Sequence, residues 1–301
     1  MKQIKIKTPD VFSYEQCLSY LSREKNEVLF KIEENHILKA LRFDGQTYLL
    51  DISNEKNYLK INVLNHEIVN NVDELNIVEY VEEWFDMKED LSEFYNFAYN
   101  DEMLNRVTER FCGLRLMRVP DFYEAMVWGI LGQQINLTFA YQLKRNLVEK
   151  YGDFVENKGT KYYIHPRPSD IMNLSIEDLM ALKMTKRKAE YLLDISKKLN
   201  DNTISKEKYM EIGNALNTEK SLIKLRGIGP WTANYLMMRS LGLKDAFPMG
   251  DVGLQNGIKL INNMDNKPSM DELKTLKTKW HKHCALSLIH ISEPTRQEAI
   301  S

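Results

Sequence analysis

The sequence predicts an α+β protein in which a small N-terminal antiparallel β-sheet domain is followed by a mainly α-helical domain. Three features predict it: short β-rich runs separated by turn residues in the N-terminal third, helix-start signals that recur from Asp101 onward, and a tight glycine turn between two apolar helical patterns.

The runs "NEVLFKI", "HILKALRF", "QTYLLDI" and "YLKINVLN" are rich in β-formers, and "FDGQ" and "ISNEKN" between them supply turn residues. Antiparallel pairing of neighbours follows from that spacing. One helix is expected before them at "SYEQCLSYLSRE" and a second within "NIVEYVEEWFDM". The acidic, aromatic "KEDLSEFYNFAYND" then leads into helical texture, which places the boundary near Asn100 and the first domain at 1–100.

Beyond it, Pro120 and Asp121 open "DFYEAMVWGILGQQI", and the pairs Ser175 with Asp178 and Ser269 with Glu272 have capping-box spacing. In such a box the serine oxygen accepts the N–H three residues on while the acidic side chain reaches back, so two unpaired helix-end donors are satisfied. The helical domain is expected to span 101–285. "LSLIHISEPTR", Leu286 to Arg296, resembles the in-frame translation of a transposase mosaic-end sequencing adapter, and 286–301 is therefore set apart as an adapter-derived tail.

A formal net charge of −2 gives no global basic field, so any grip on nucleic acid has to come from local placement of charge and backbone donors. Cys17, Cys112 and Cys284 are scattered and form neither a disulfide framework nor a C-x-x-C motif, which suits a reducing cytoplasm. "MKQIKIKTPDVF" has no apolar signal core, and no apolar run approaches the ~18 residues of a membrane span. A cytoplasmic protein with no membrane partner is expected.

In "KLRGIGPWTANYLMM", Gly227, Ile228 and Gly229 separate an apolar helix end from Pro230, which sits at a helix start where its missing N–H is no loss. Such a turn leaves backbone N–H groups at a helix N-terminus with no side chain over the glycines, which is a seat for a phosphate. A bare G-x-G is also the turn of an αα-hairpin that binds nothing. Asp251, in "FPMGDVGLQ", has the position of an N-cap by spacing alone.

The pattern L-x-G-I-G-x-x-T-A resembles the helix-hairpin-helix motif of DNA-binding proteins, and with the downstream aspartate it resembles the DNA glycosylases that carry that motif. The fuller resemblance is to the AlkA-type 3-methyladenine DNA glycosylases. It runs through "LRLMRVPDFYEAMVWGILGQQINL", "LMALKMTKRKAEYL" and "LRGIGPWTANYLMMRSLGLKDAFPMGDVGLQNGI", and more weakly through the N-terminal sheet, to about Ala285. One departure is "WHKHCA", which begins at Trp280 and lacks the Pro and Arg of the family's W-x-P-x-R segment.

The resemblance implies a monomeric enzyme that excises alkylated purines from double-stranded DNA by base flipping and hydrolysis. Asp251 would be its catalytic carboxylate, and Trp231 and Tyr235 would line the base pocket. Gly227, Ile228, Gly229, Thr232, Gln133, Gln134, Lys186 and Arg187 would meet DNA, the two glutamines at the gap left by the flipped nucleotide. Related bifunctional enzymes carry a Schiff-base lysine where this chain has Trp231, which implies a monofunctional enzyme that leaves an abasic site. No cofactor is required, although a structural cation on the main-chain carbonyls of Ile223, Leu225 and Ile228 is part of the same implication. Two alternatives stay open: a glycosylase for a deaminated or oxidised base, and a helix-hairpin-helix DNA-binding protein without chemistry.

Overall fold

The computed structural model of the chain describes residues 3–68 and 71–298. It divides into two compact units, each assembled from separated stretches: Met1–Thr8, Glu24–Glu82 and Asp121–Ser205 in one, and Pro9–Arg23, Glu83–Pro120 and Lys206–Ser301 in the other.

The first unit holds the expected antiparallel sheet. Its strands β1 (Gln3–Lys7), β2 (Lys31–Glu33), β3 (His36–Phe43), β4 (Gln46–Glu55) and β5 (Tyr58–Val63) lie in the order β1-β5-β4-β3-β2. Asp44 and Gly45 take the left-handed φ values of 46° and 83° that a two-residue hairpin between β3 and β4 requires. β1 was not expected. It is a plain period-two strand, with Ile4 and Ile6 buried opposite Ile61 and Leu59 and charged or polar residues facing out.

One expectation needs correction. "NEVLFKI" is extended only from Lys31, because the Glu27 carboxylate accepts the N–H groups of Val28 and Leu29 at 2.8 and 2.9 Å and takes those donors from the ladder. Val28 and Leu29 pack instead on Val148. The mainly helical part of the chain also contains a hairpin that its sequence does not announce, β6 (Phe154–Asn157) and β7 (Thr160–Tyr163), turned at Lys158 and Gly159 with φ of 48° and 75°. Val155, Tyr162 and Ile164 join Leu38, Ala40 and Leu49 in one apolar cluster, which is why this short pair is stable there. The helix expected in "NIVEYVEEWFDM" begins earlier and spans Asn71–Trp84.

The second unit is helical, and Asp101 ties it together. One carboxylate oxygen caps the helix Glu102–Thr108 by accepting from Met103 and Leu104, each at 3.0 Å. The other accepts from the Trp280 indole at 3.1 Å and from Lys279 at 2.8 Å. Trp280 is fully buried and stands edge-on to Phe247, with ring centroids 5.7 Å apart. The boundary expected near Asn100 falls inside this unit, between the helices Ser92–Tyr99 and Glu102–Thr108.

The adapter-like segment lies in the helix Cys284–Glu298, and Leu286 to Ser292 are buried. The Ile291 carbonyl presses on Gly257 of the helix Val252–Ile261 so closely that a Cβ there would have no room. Both predicted capping boxes form, with Ser175 and Ser269 accepting from Asp178 and Glu272 at 3.1 and 3.3 Å. Among the described residues no helix is long and apolar enough to cross a membrane.

Candidate active site

The glycine turn joins the helices Ala215–Leu222 and Pro230–Arg239, as its sequence requires. Gly227 takes a φ of 89°, and buried Ile228 pins the loop while its N–H reaches the Leu225 carbonyl at 3.0 Å. Gly229 is the N-cap of the second helix, with no capping side chain and Pro230 directly after it. A Cβ built on Gly229 would meet nothing within 4 Å. The positive end of this helix dipole therefore has open space over Gly229.

Trp231 and Tyr235 lie one turn apart on that helix, half-buried, with rings stacked at 5.6 Å and 15°. Neither is packed into the core as Ala233, Leu236 and Met237 are. Across from them, the turn from Phe247 to Asp251 is closed by Met249 N–H on Phe247 and Asp251 N–H on Pro248, both at 2.8 Å. Its Gly250 approaches Trp231, since a Cβ at that glycine would sit 3.8 Å from the indole Cδ1.

Asp251 is the N-cap of the helix Val252–Ile261 and accepts the Leu254 N–H at 2.9 Å through Oδ1. Its second carboxylate oxygen has no hydrogen-bond partner among the described residues, and the side chain is partly exposed. Capping thus occupies one oxygen and leaves the other available. The helix N-terminus behind it favours negative charge at this spot.

Two side chains that sequence reading did not single out hold this turn. Asn234, buried in the middle of the helix Pro230–Arg239, donates to the Pro230 carbonyl at 3.0 Å and accepts the Phe247 N–H at 2.9 Å. Gln255 donates to the Met249 carbonyl at 3.0 Å. The available signal was an asparagine at an interior helix position, where its competition for backbone bonds makes it unfavourable unless something else holds it.

The remaining candidates lie on the other unit. Gln133 is half-buried, and Gln134 is exposed in a left-handed conformation, φ 57°, just after the helix Phe122–Leu131. Lys186 and Arg187 are exposed in the first turn of the helix Lys186–Asn200. Lys188 turns inward instead and donates to the Leu131 carbonyl at 2.6 Å, with burial holding its ammonium below the usual lysine range. It closes the end of the helix that leads to Gln133 and Gln134 and is no phosphate contact. Among the described residues no cluster of His, Cys, Asp and Glu could hold a metal.

Known proteins resemble the chain in sequence and in fold. Residues 127–282 match the HhH-GPD superfamily of base excision DNA repair proteins, and residues 1–126 match the N-terminal domain of 8-oxoguanine DNA glycosylase. The chain is 42% identical over 279 residues to a DNA-3-methyladenine glycosylase of Bacillus subtilis, covering 92% of each protein. DNA-3-methyladenine glycosylase 2 of Escherichia coli is 26% identical over 206 residues, covering 67% of this chain and 69% of that one. The fold matches that of a 3-methyladenine DNA glycosylase from Archaeoglobus fulgidus over the full length of both chains, with a TM-score of 0.80 at 22% identity. With a hairpin, an aromatic pair and a half-free aspartate on one unit, and a family match over both halves of the sequence, the chain belongs to the HhH-GPD superfamily of base excision DNA repair proteins and is a DNA glycosylase.

Proposed function

We propose that this glycosylase is monofunctional and releases alkylated purines, 3-methyladenine among them, from double-stranded DNA by hydrolysis. The observation that carries the reading is the approach of the Asp251 turn to the Trp231–Tyr235 stack, with one Asp251 oxygen uncommitted. The 42% identity to a DNA-3-methyladenine glycosylase supports the same substrate class.

A purine methylated on a ring nitrogen is cationic and already a good leaving group, so its departure needs little acid catalysis. The developing positive charge lies on the sugar, as in other oxocarbenium-like glycosyl transfers, and a carboxylate beside the anomeric carbon stabilises it. The free oxygen of Asp251 supplies the opposing negative charge and can orient the attacking water. The base must first leave the stack, an extrusion that costs a few kcal/mol and less at a damaged pair. Trp231 and Tyr235 then offer aromatic faces that attract a cationic base.

DNA binding would rest on the turn of Gly227, Ile228 and Gly229, where the space over Gly229 is open, and on the exposed Lys186 and Arg187, while Thr232 is buried behind the turn and would support it from inside. Gln134, projecting from its own unit, would enter the stack by hydrogen bonding more than by apolar wedging, with Gln133 behind it. A cation on the carbonyls of Ile223, Leu225 and Ile228 fits the donor set, since neutral oxygens suit a hard ion. The Leu225 carbonyl would use its second lone pair, because the first takes the Ile228 N–H. Such an ion would balance phosphate charge, while the glycosidic bond is left to Asp251.

The match of residues 1–126 to an 8-oxoguanine glycosylase domain favours a second reading, excision of an oxidised purine. A release assay over duplexes carrying 3-methyladenine, 7-methylguanine, hypoxanthine, uracil or 8-oxoguanine separates the two. Release of the methylated purines ahead of the others is expected. Preferential release of 8-oxoguanine would replace the alkylation reading with the oxidation one.

A further inference from the structure

We propose that Asn234 and Gln255 are positioning residues, two side-chain amides that grip the Phe247–Asp251 turn from separate helices and fix where the Asp251 carboxylate stands. The proposal rests on Asp251 being the reacting carboxylate.

Phe247 anchors the start of the turn against Trp280, but Gly250, next to Asp251, is exposed and as a glycine adds no side-chain anchor beside the carboxylate. Its internal bonds, Met249 to Phe247 and Asp251 to Pro248, set its shape but not its place against the aromatic pair. Asn234 sets the place at the start of the turn. Its oxygen accepts the buried Phe247 N–H and its nitrogen donates to Pro230, the first residue of the helix that bears Trp231. The amide therefore joins the hairpin side of the site to the carboxylate side through one rigid group.

Gln255 sets the place at the middle of the turn. It lies four residues after Asp251, on the same face of the helix that Asp251 caps, and its amide nitrogen reaches back to the Met249 carbonyl. Both amides are needed because their grips differ in direction: Asn234 holds an N–H and Gln255 holds a carbonyl, one from each flanking helix. A reacting group that drifts by about 1 Å can lose on the order of 100-fold in rate, so a held turn bears directly on chemistry.

The test is single-turnover release of methylated purine from alkylated duplex DNA by the full chain. Asn234→Leu, Asn234→Asp, Gln255→Met and Asp251→Asn are compared, with thermal stability and affinity for abasic-site duplex measured for each. Asn234→Leu and Gln255→Met are expected to slow release by about 10- to 100-fold while affinity stays within about twofold. Asn234→Asp, which keeps the acceptor for Phe247, is expected to lose less than Asn234→Leu. Should Asn234→Leu fail to fold, Gln255→Met at its half-buried site carries the same comparison. Wild-type release rates in folded Asn234→Leu and Gln255→Met, with Asp251→Asn inactive, would overturn the positioning role and leave Asp251 in place. Affinity falling in step with rate would overturn it too, by making the pair a DNA-binding feature. An active Asp251→Asn removes the catalytic reading and the positioning role together.

Discussion

Asp251→Asn is expected to lower base release by about 10²- to 10⁴-fold while leaving the fold and DNA affinity near wild type. The separation is possible because the residue does two jobs with two oxygens. Oδ1 caps the helix Val252–Ile261 through Leu254, and asparagine caps a helix N-terminus as well as aspartate does. What the substitution removes is the negative charge on the other oxygen, the one with no partner among the described residues. Single-turnover release and duplex affinity measured on the same preparation check it. Release at the wild-type rate would reduce Asp251 to a cap.

The largest stability effect is expected at Lys144, in the other unit. Its ammonium lies 3.0 Å from Glu27 and 3.4 Å from Glu124, and Lys144 is buried while the two carboxylate side chains are largely covered. Burial alone would push Lys144 down, but the two carboxylates more than offset it and hold the ammonium above the usual lysine range. Burial would likewise raise Glu124, yet the Lys144 and Lys39 charges hold it below its ordinary value of 4.5. Removing one partner strands buried charge, so Lys144→Met is expected to destabilise the protein by about 3–5 kcal/mol at neutral pH. A carboxyl depressed in the folded state stabilises above its unfolded pKa, and that contribution is lost as pH falls through the folded value. The gap between wild type and variant should therefore narrow under acid, as the wild type loses this term and the stranded carboxyls of the variant take up protons. Urea denaturation across that range measures it, and a pH-independent loss below about 1 kcal/mol would mean the three charges behave as surface ones.

What could be read from the sequence was chemistry that acts over a few residues. Ser175 with Asp178, Ser269 with Glu272, and the Asp44–Gly45 turn each satisfy a local demand, and each appears where its neighbours in sequence place it. The start of the "NEVLFKI" strand was lost to the Glu27 side chain, whose competition for backbone donors no strand pattern displays. The β6–β7 hairpin was missed because four-residue strands give too short an alternation to stand out between helices.

The site divides in the same way. Gly227, Gly229, Trp231, Tyr235 and Asp251 stand within 25 residues of chain, so their neighbourhood could be read in one dimension. Lys188 resembled its basic neighbours in sequence and turned inward to the Leu131 carbonyl, 57 residues away. Asn234 and Gln255 look like ordinary polar helix residues until the turn they hold is folded over them.

The most direct test of hydrolysis by a single carboxylate is borohydride trapping on alkylated duplex DNA, run beside base release and strand integrity. Position 231 carries an indole and no amine, and a Schiff base needs an amine. The expected result is free methylated purine, an intact abasic strand and no covalent complex. A trapped protein–DNA complex, or strand scission that keeps pace with base release, would contradict it.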